Sequence, residues 1–257
     1  MKDLEKKIVF ITGATSGIGK SAAYQFAALG ADLILAARRE DRLDEISKEL
    51  ESKYGIETIV LSMDIQNYEF VKYQIDKLEG RWKNIDILLN NAGLARGMGS
   101  VKDGLIEDWN EMIDTNIKGL LYISKCVIPL MQNNKSGHII NIGSIAGREV
   151  YPNGNVYCAT KHAVDAITKS MRMELLDSNI KVSTIDPGLV ETEFSIVRQR
   201  GDEEKAKIVY QGLLPLTPED IAEAIIFTAT RNENFVVAEM VLFPKAQAGV
   251  RDVLRNS

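Results

Sequence analysis

Residues 8–19 read Ile8-Val9-Phe10-Ile11-Thr12-Gly13-Ala14-Thr15-Ser16-Gly17-Ile18-Gly19, and the architecture follows from their order. A β-branched run from Ile8 to Thr12 gives way to a glycine turn, then to an amphipathic stretch from Ile18 to Leu29. That is a strand entering a helix through a tight loop. Glycines in such a loop let backbone N–H groups approach a pyrophosphate, and the helix N-terminus favours its negative charge. The spacing is Gly-x-x-x-Gly-x-Gly, not Gly-x-Gly-x-x-Gly, and it lacks the lysine of a P-loop. The first candidate cofactor contacts are therefore Gly13, Thr15, Ser16, Gly17, Ile18 and Gly19.

The alternation continues outward from this turn. Leu33 to Ala37 is a second apolar run, and Asp41 to Lys53 reads as a helix with Leu43, Ile46 and Leu50 on one face. Thr58 to Met63, Ile85 to Asn90, His138 to Ile142 and Val182 to Ile185 repeat the strand signal, and Val236 to Phe243 reads as a closing strand. Strands buried on both faces and alternating with helices mean an α/β fold, a parallel sheet between two helix layers. No linker or repeat divides the chain, so residues 1–257 are expected to form one domain. The rhythm breaks between Pro187-Gly188 and Pro218, in a charge-rich stretch that is helical at best. Such an insertion after a strand reads as a substrate lid, at about residues 189–217, or else as a solvated surface excursion. Pro218 to Thr230 then reads as a helix capped by Thr217.

Composition removes other classes. With 45% hydrophobic and 26% charged residues the chain sits at globular averages, which excludes disorder, collagen and coiled coil. A net charge of −5 argues against a nucleic-acid partner. No run approaches the ~18 apolar residues of a membrane span; Gly119 to Met131 is interrupted by Lys125 and Pro129. The charged start, Met1 to Lys7, lacks a signal-peptide core, and a cytoplasmic protein is expected. Cys126 and Cys158 form neither a metal pattern nor a disulfide framework, and His138 and His162 form no ligand pair, so no metal is expected.

The second strand ends Ala36-Ala37-Arg38-Arg39, with no carboxylate until Glu40. NAD sites usually place an acidic residue there for the ribose hydroxyl. Arg38 and Arg39 instead suit the 2′-phosphate of NADP through charge-assisted bonds, although the same pair suits the start of a surface helix. Asp64, just past the third strand, is placed to accept from an adenine amino group. Asn91, Ala92 and Gly93 follow the fourth strand at the carboxyl edge, where such sheets bind ligands. Tyr157 and Lys161 are four apart in a helical stretch from Val156 to Leu176, hence on one face. A neighbouring ammonium lowers the pKa of a phenol toward a useful acid–base range, as does the positive ring of an oxidised nicotinamide. Ser144, thirteen positions earlier, can donate to a substrate carbonyl or alkoxide.

With these pieces assembled, the sequence resembles the short-chain dehydrogenase/reductase family over nearly its whole length, Lys7 to about Gln247. The matching residues are Thr12-Gly13 to Gly19, Asp64, Asn90-Asn91-Ala92-Gly93, Asn116, Ser144, Tyr157, Lys161 and Pro187-Gly188 with Thr192. The resemblance implies a Rossmann-type doubly wound sheet of about seven strands. It also implies a tetrad in which Tyr157 is the general acid/base and Ser144 polarises the reacting oxygen. Lys161 then tunes Tyr157 and holds the nicotinamide ribose, while Asn116 supports a water relay. Pro187, Gly188, Val190 and Thr192 join the cofactor contacts on the same basis.

The tail from Pro187-Gly188-Leu189-Val190-Glu191-Thr192-Glu193-Phe194 to Pro244-Lys245-Ala246-Gln247 is similar to the branch of NADP-dependent 3-hydroxy acid dehydrogenases. That similarity implies a small-molecule substrate such as L-serine, L-allo-threonine or 3-hydroxypropionate, or the matching carbonyl, and a homotetramer. A carboxylated substrate needs a cationic partner. Arg148, soon after Ser144, and Arg198, on the expected lid, are the candidates. Competing readings are a reductase of 3-oxoacyl groups or other ketones, a nucleotide-sugar epimerase or dehydratase, and a dinucleotide-binding module without turnover.

Overall fold

Ile8, Val9, Phe10 and Ile11 are all buried, so the first strand meets apolar side chains on both faces. A strand of that kind needs a helix layer above and below it. The computed structural model describes residues 4–256 and supplies both layers. Part of the Met1–Lys7 start therefore lies outside the described residues. In chain order the elements are β1 (Ile8–Thr12), α1 (Gly17–Ala28), β2 (Asp32–Ala37), α2 (Glu40–Tyr54), β3 (Thr58–Ser62), α3 (Tyr68–Asp76), β4 (Ile85–Asn90) and α4 (Ile106–Ile113). There follow α5 (Leu120–Asn133), β5 (Gly137–Ile142), α6 (Asn155–Glu174), β6 (Ile180–Pro187), α7 (Glu193–Arg198), α8 (Glu203–Ile208), α9 (Pro218–Ala229) and β7 (Glu239–Leu242).

Among the described residues the seven strands form one parallel sheet in the order β3-β2-β1-β4-β5-β6-β7. The order reverses between β1 and β4, which opens a crevice at their carboxyl ends. Alternate residues of β1 serve opposite cores. Val9 and Ile11 pack with Phe26 of α1, Leu43 of α2 and Ile225 of α9. Ile8 and Phe10 pack with Val71 of α3, Ile123 of α5 and Val164 of α6. This is the three-layer α/β sandwich expected from the alternation, with the doubly wound strand order that the resemblance implies.

One element differs from the sequence reading, and two stretches gain local detail. The closing strand is shorter than Val236 to Phe243. Arg172 donates to the carbonyls of Val182 and Ala238 at 2.9 and 2.6 Å, and β7 pairs with β6 only from Glu239 onward. The charge-rich excursion contains two six-residue helices, α7 and α8, each capped by a side chain. Thr192 accepts from Phe194 N at 3.1 Å, and Asp202 accepts from Lys205 N at 3.0 Å. Finally, Asp114–Gly119, between α4 and α5, is a π-helical turn. The helix after the excursion begins as read, with Thr217 and Asp220 bonded reciprocally in a capping box.

Candidate active site

The glycine turn is held against β4 by a polar staple. Asn91 donates its side-chain amide to the carbonyls of Thr12 and Gly13, at 2.9 and 3.2 Å. The Thr12 hydroxyl accepts from the N–H groups of Asn91 and Ala92, both at 3.0 Å. Gly13 has φ +69°, and a Cβ there would meet Asn91 Nδ2 at 2.9 Å and Ala92 Cα at 3.0 Å. At Gly19 a Cβ would collide with Asn91 Nδ2 and the Gly13 carbonyl. The turn is therefore glycine-built for close backbone approach to the segment that follows β4.

Above the turn lies a cleft of about 1160 Å³ at the carboxyl edge of the sheet. Gly13, Thr15, Ser16, Gly17 and Ile18 line one wall, with Arg38, Arg39 and Asp64 at the same end. Asn91, Ala92, Gly93, Ser144, Tyr157 and Lys161 line the middle, and Pro187, Gly188, Val190, Thr192 and Arg198 complete it. Gly19, Asn116 and Arg148 stand outside the lining. Gly19 supports the turn from behind, as its contacts show.

Two arginines follow β2, and they differ. Arg39 crosses the turn, with Nε and Nη2 donating to Thr15 Oγ1 at 3.2 and 2.9 Å and Nη2 to Ser16 Oγ at 3.0 Å. Its Nη1 pairs with Glu193 of α7 at 3.0 Å. Arg38 lines the cleft and forms no ion pair among the described residues. Asp64 accepts from Gln66 N at 3.0 Å, which orients its carboxylate at the cleft's edge. The size of the cleft, its glycine cradle and its two guanidinium groups fit a dinucleotide with an additional phosphate.

At the other end α6 presents Tyr157 and Lys161 from one face, as the spacing requires. Both are buried. Lys161 Nζ donates to the Ile142 carbonyl at 2.9 Å. Burial pushes its ammonium down to about 8, with the Asp186 carboxylate pulling the other way. Burial raises the Tyr157 phenol above its ordinary value, and the neighbouring Tyr151 adds to the rise. A hydrogen bond with Ser144 and the charge of Arg198 oppose it. The phenol is thus raised, where the sequence reading expected the Lys161 ammonium to lower it, because loss of water outweighs the groups that oppose it. Ser144 ends β5's loop and accepts from Ala146 N at 3.1 Å.

Asn116 lies behind the cleft in the π turn, a geometry frequent at functional sites. Its Oδ1 accepts from Leu94 N at 2.9 Å, and its Nδ2 donates to Leu94 O at 2.8 Å and Thr160 Oγ1 at 3.0 Å. The side chain and Lys161 Nζ both flank Gly93.

The two candidate carboxylate binders are separated by the structure. Arg148 does not reach the cleft; it bonds to Asp186 at 2.5 and 2.8 Å and to Glu239 at 2.6 Å. Asp186 is 3% exposed, so this arginine neutralises a buried charge and ties the Ser144 loop to β6 and β7. Arg198 instead stands 5.5 Å from the ring centroids of both Tyr157 and Tyr151. It donates to Tyr151 Oη at 2.8 Å and to the Gly97 carbonyl at 3.3 Å. Among the described residues it has no carboxylate partner.

Sequence reasoning missed Tyr151 and Phe194, which wall the catalytic end; the Phe194 and Tyr157 ring centroids are 5.6 Å apart. Neither had a spacing signal, because both arrive through tertiary folding of the loop after Ser144 and of α7. The histidines are not candidate bases. His138 is buried against Ser183 at 2.8 Å, and burial lowers its pKa to about 3. His162 Nδ1 lies 2.9 Å from the Cys158 carbonyl. Burial pushes the Cys158 thiol up, away from thiolate chemistry.

Residues 7–203 match the family model of short chain dehydrogenases. A Schizosaccharomyces pombe protein named NADP-dependent 3-hydroxy acid dehydrogenase is 47% identical over 257 residues, 100% of this chain and 99% of the relative. Sulfoacetaldehyde reductase 2 of Chromohalobacter salexigens is 40% identical over 242 residues, 94% of this chain and 95% of that protein. A solved closed form of serine dehydrogenase complexed with NADP+ is 39% identical with a TM-score of 0.90, covering 97% of this chain and 100% of the other.

Proposed function

Because the chain belongs to the short chain dehydrogenase family, we propose that it is an NADP-dependent oxidoreductase of small 3-hydroxy acids and their carbonyl forms. L-serine, L-allo-threonine and 3-hydroxypropionate with malonic semialdehyde are the substrates in view. One observation carries the reading. Arg198 brings a cation without a carboxylate partner among the described residues to the ring of Tyr157, inside the cleft that Ser144 and Lys161 share. A small anionic substrate held by that guanidinium lies beside the proton donor. Relatives named for a hydroxy acid and for a sulfonated aldehyde agree in this: each acts on a small molecule carrying an anion.

A dinucleotide held in this cleft would supply the hydride chemistry. Tyr157 gives a proton to the carbonyl oxygen in reduction and takes it back in oxidation, while Ser144 polarises that oxygen. Lys161 holds the nicotinamide ribose and stabilises the phenolate. Asn116 commits both amide hydrogens to Leu94 and Thr160, but its Oδ1 accepts only from Leu94 N and keeps a second lone pair on the side of Gly93 that Lys161 Nζ also flanks, which suits a relay water. Arg38 and Arg39 hold the 2′-phosphate, and residues 189–217 act as the lid over a single NADP-binding and catalytic domain.

We place the enzyme in the cytoplasm as a homotetramer. Both cysteines are free, which suits a reducing compartment, and no helix of the described residues is long and apolar enough to cross a membrane. Assembly is supported by the sheet edge at β7, where Val241 is exposed, and by exposed Phe227 and Phe235.

The test is NADPH oxidation, followed by absorbance, with small carbonyl acids, uncharged aldehydes and 3-oxoacyl thioesters. The carbonyl acids are expected to turn over, and Tyr157→Phe should reduce that rate by about 10²- to 10⁴-fold with NADPH binding intact. Preference for the thioesters would move the assignment to a 3-oxoacyl reductase. Binding of NADPH without turnover of any panel member would overturn the activity.

A further inference from the structure

The lid carries a carboxylate of its own into the corner assigned above to the 2′-phosphate. Glu193 opens α7, and its position is fixed from both sides. Thr192 caps the helix by accepting from Phe194 N at 3.1 Å, and the Thr192 side chain lies 3.3 Å from where a Cβ of Gly17 would stand. The helix start is thus packed on the glycine turn. From there Glu193 Oε2 lies 3.0 Å from Arg39 Nη1, and Oε1 lies 3.0 Å from Arg42 Nη1. The other nitrogens of Arg39 are held by Thr15 and Ser16. Burial pushes the Glu193 carboxyl upward, but the hydrogen bonds of Arg39 and Arg42 outweigh it and hold the group below the usual carboxylate range. It is an anion at neutral pH.

A phosphate monoester entering this corner brings close to two negative charges to an arginine that already has a carboxylate partner. Either the phosphate displaces Glu193 from Arg39, or it binds beside a like charge; each route subtracts from what the guanidinium offers. A cofactor with a free hydroxyl at the same place leaves the pair undisturbed. We infer that Glu193 is a cofactor-discriminating residue that works against the arginines, competing with the 2′-phosphate for Arg39 and so narrowing the preference for NADP over NAD. This rests on the NADP reading above and names the residue that limits it.

Calorimetric titration with adenosine 2′,5′-bisphosphate and with 5′-AMP isolates the phosphate from the rest of the dinucleotide. Glu193 is half exposed, so Glu193→Gln keeps the fold, and unchanged 5′-AMP binding reports that directly. The variant should bind the bisphosphate about 2- to 5-fold more tightly, the scale of a half-exposed ion pair, with 5′-AMP the same within error. In an Arg39→Ala background the gain should shrink toward onefold. Unchanged or weaker binding of the bisphosphate by Glu193→Gln would overturn the inference, as would a full gain without Arg39. A wild-type protein that binds both fragments equally would remove the NADP reading itself, and the inference with it.

Discussion

At Lys161 two consequences of burial compete. Loss of water pushes the ammonium down to about 8, and the carboxylate of Asp186 acts in the opposite direction. The proposed roles of this lysine, holding the ribose and stabilising a phenolate, both need its charged form. That form is complete below the folded pKa and is lost as pH rises through it. The kcat/KM for reduction should therefore be level near pH 6–7 and fall about tenfold per unit above about pH 8. Asp186→Asn, which removes the opposing charge, should move the falling limb to lower pH. A profile level through pH 10 would contradict the role. Tyr157 and Lys161 were legible because one helix fixes their relation; the pull of Asp186 was not, since it arrives from another strand.

Among the elements, α7 does the most with the fewest residues. Its six residues carry Glu193 at one end, tied to the cofactor-side arginines, and Arg198 at the other, over Tyr157. The stretch read as a charged excursion because a helix of this length has no apolar period to detect; caps and ion pairs made after folding hold it. Arg96 and Arg200 anchor its far end, Arg96 through the Val197 carbonyl at 2.8 Å and Arg200 through Asp108 at 2.7 Å. Replacing Arg198 with Ala should raise KM for a 3-hydroxy acid about 10- to 150-fold, the value of one charge-assisted bond. Arg148→Ala should leave KM within about twofold but lower stability by about 1–3 kcal/mol in denaturant titration, because Asp186 stays buried with its partner gone. Equal KM effects would contradict the separation of the two arginines.

Across the whole molecule, the parallel sheet and its helix layers were readable because the central strands β1, β2 and β4 are apolar on both faces and alternate with helices, so cover is needed above and below them. The glycine turn was readable for a related reason: Gly13 and Gly19 sit where a Cβ collides with Asn91 and its neighbours, so the residue type reports the backbone's surroundings. What stayed hidden was tertiary in origin. The π turn around Asn116, the aromatic wall of Tyr151 and Phe194, and the choice between Arg148 and Arg198 depend on contacts between segments far apart in the chain. That choice bears most on substrate class, since it puts beside Tyr157 a cation that has no carboxylate partner among the described residues. The direct test is kcat/KM for 3-hydroxypropionate against 1-propanol, with NADP as oxidant and reduction followed by absorbance. A preference of at least about 10-fold for the acid is expected, the lower bound for one charged bond. Equal values for the two alcohols, or a preference for 1-propanol, would contradict it.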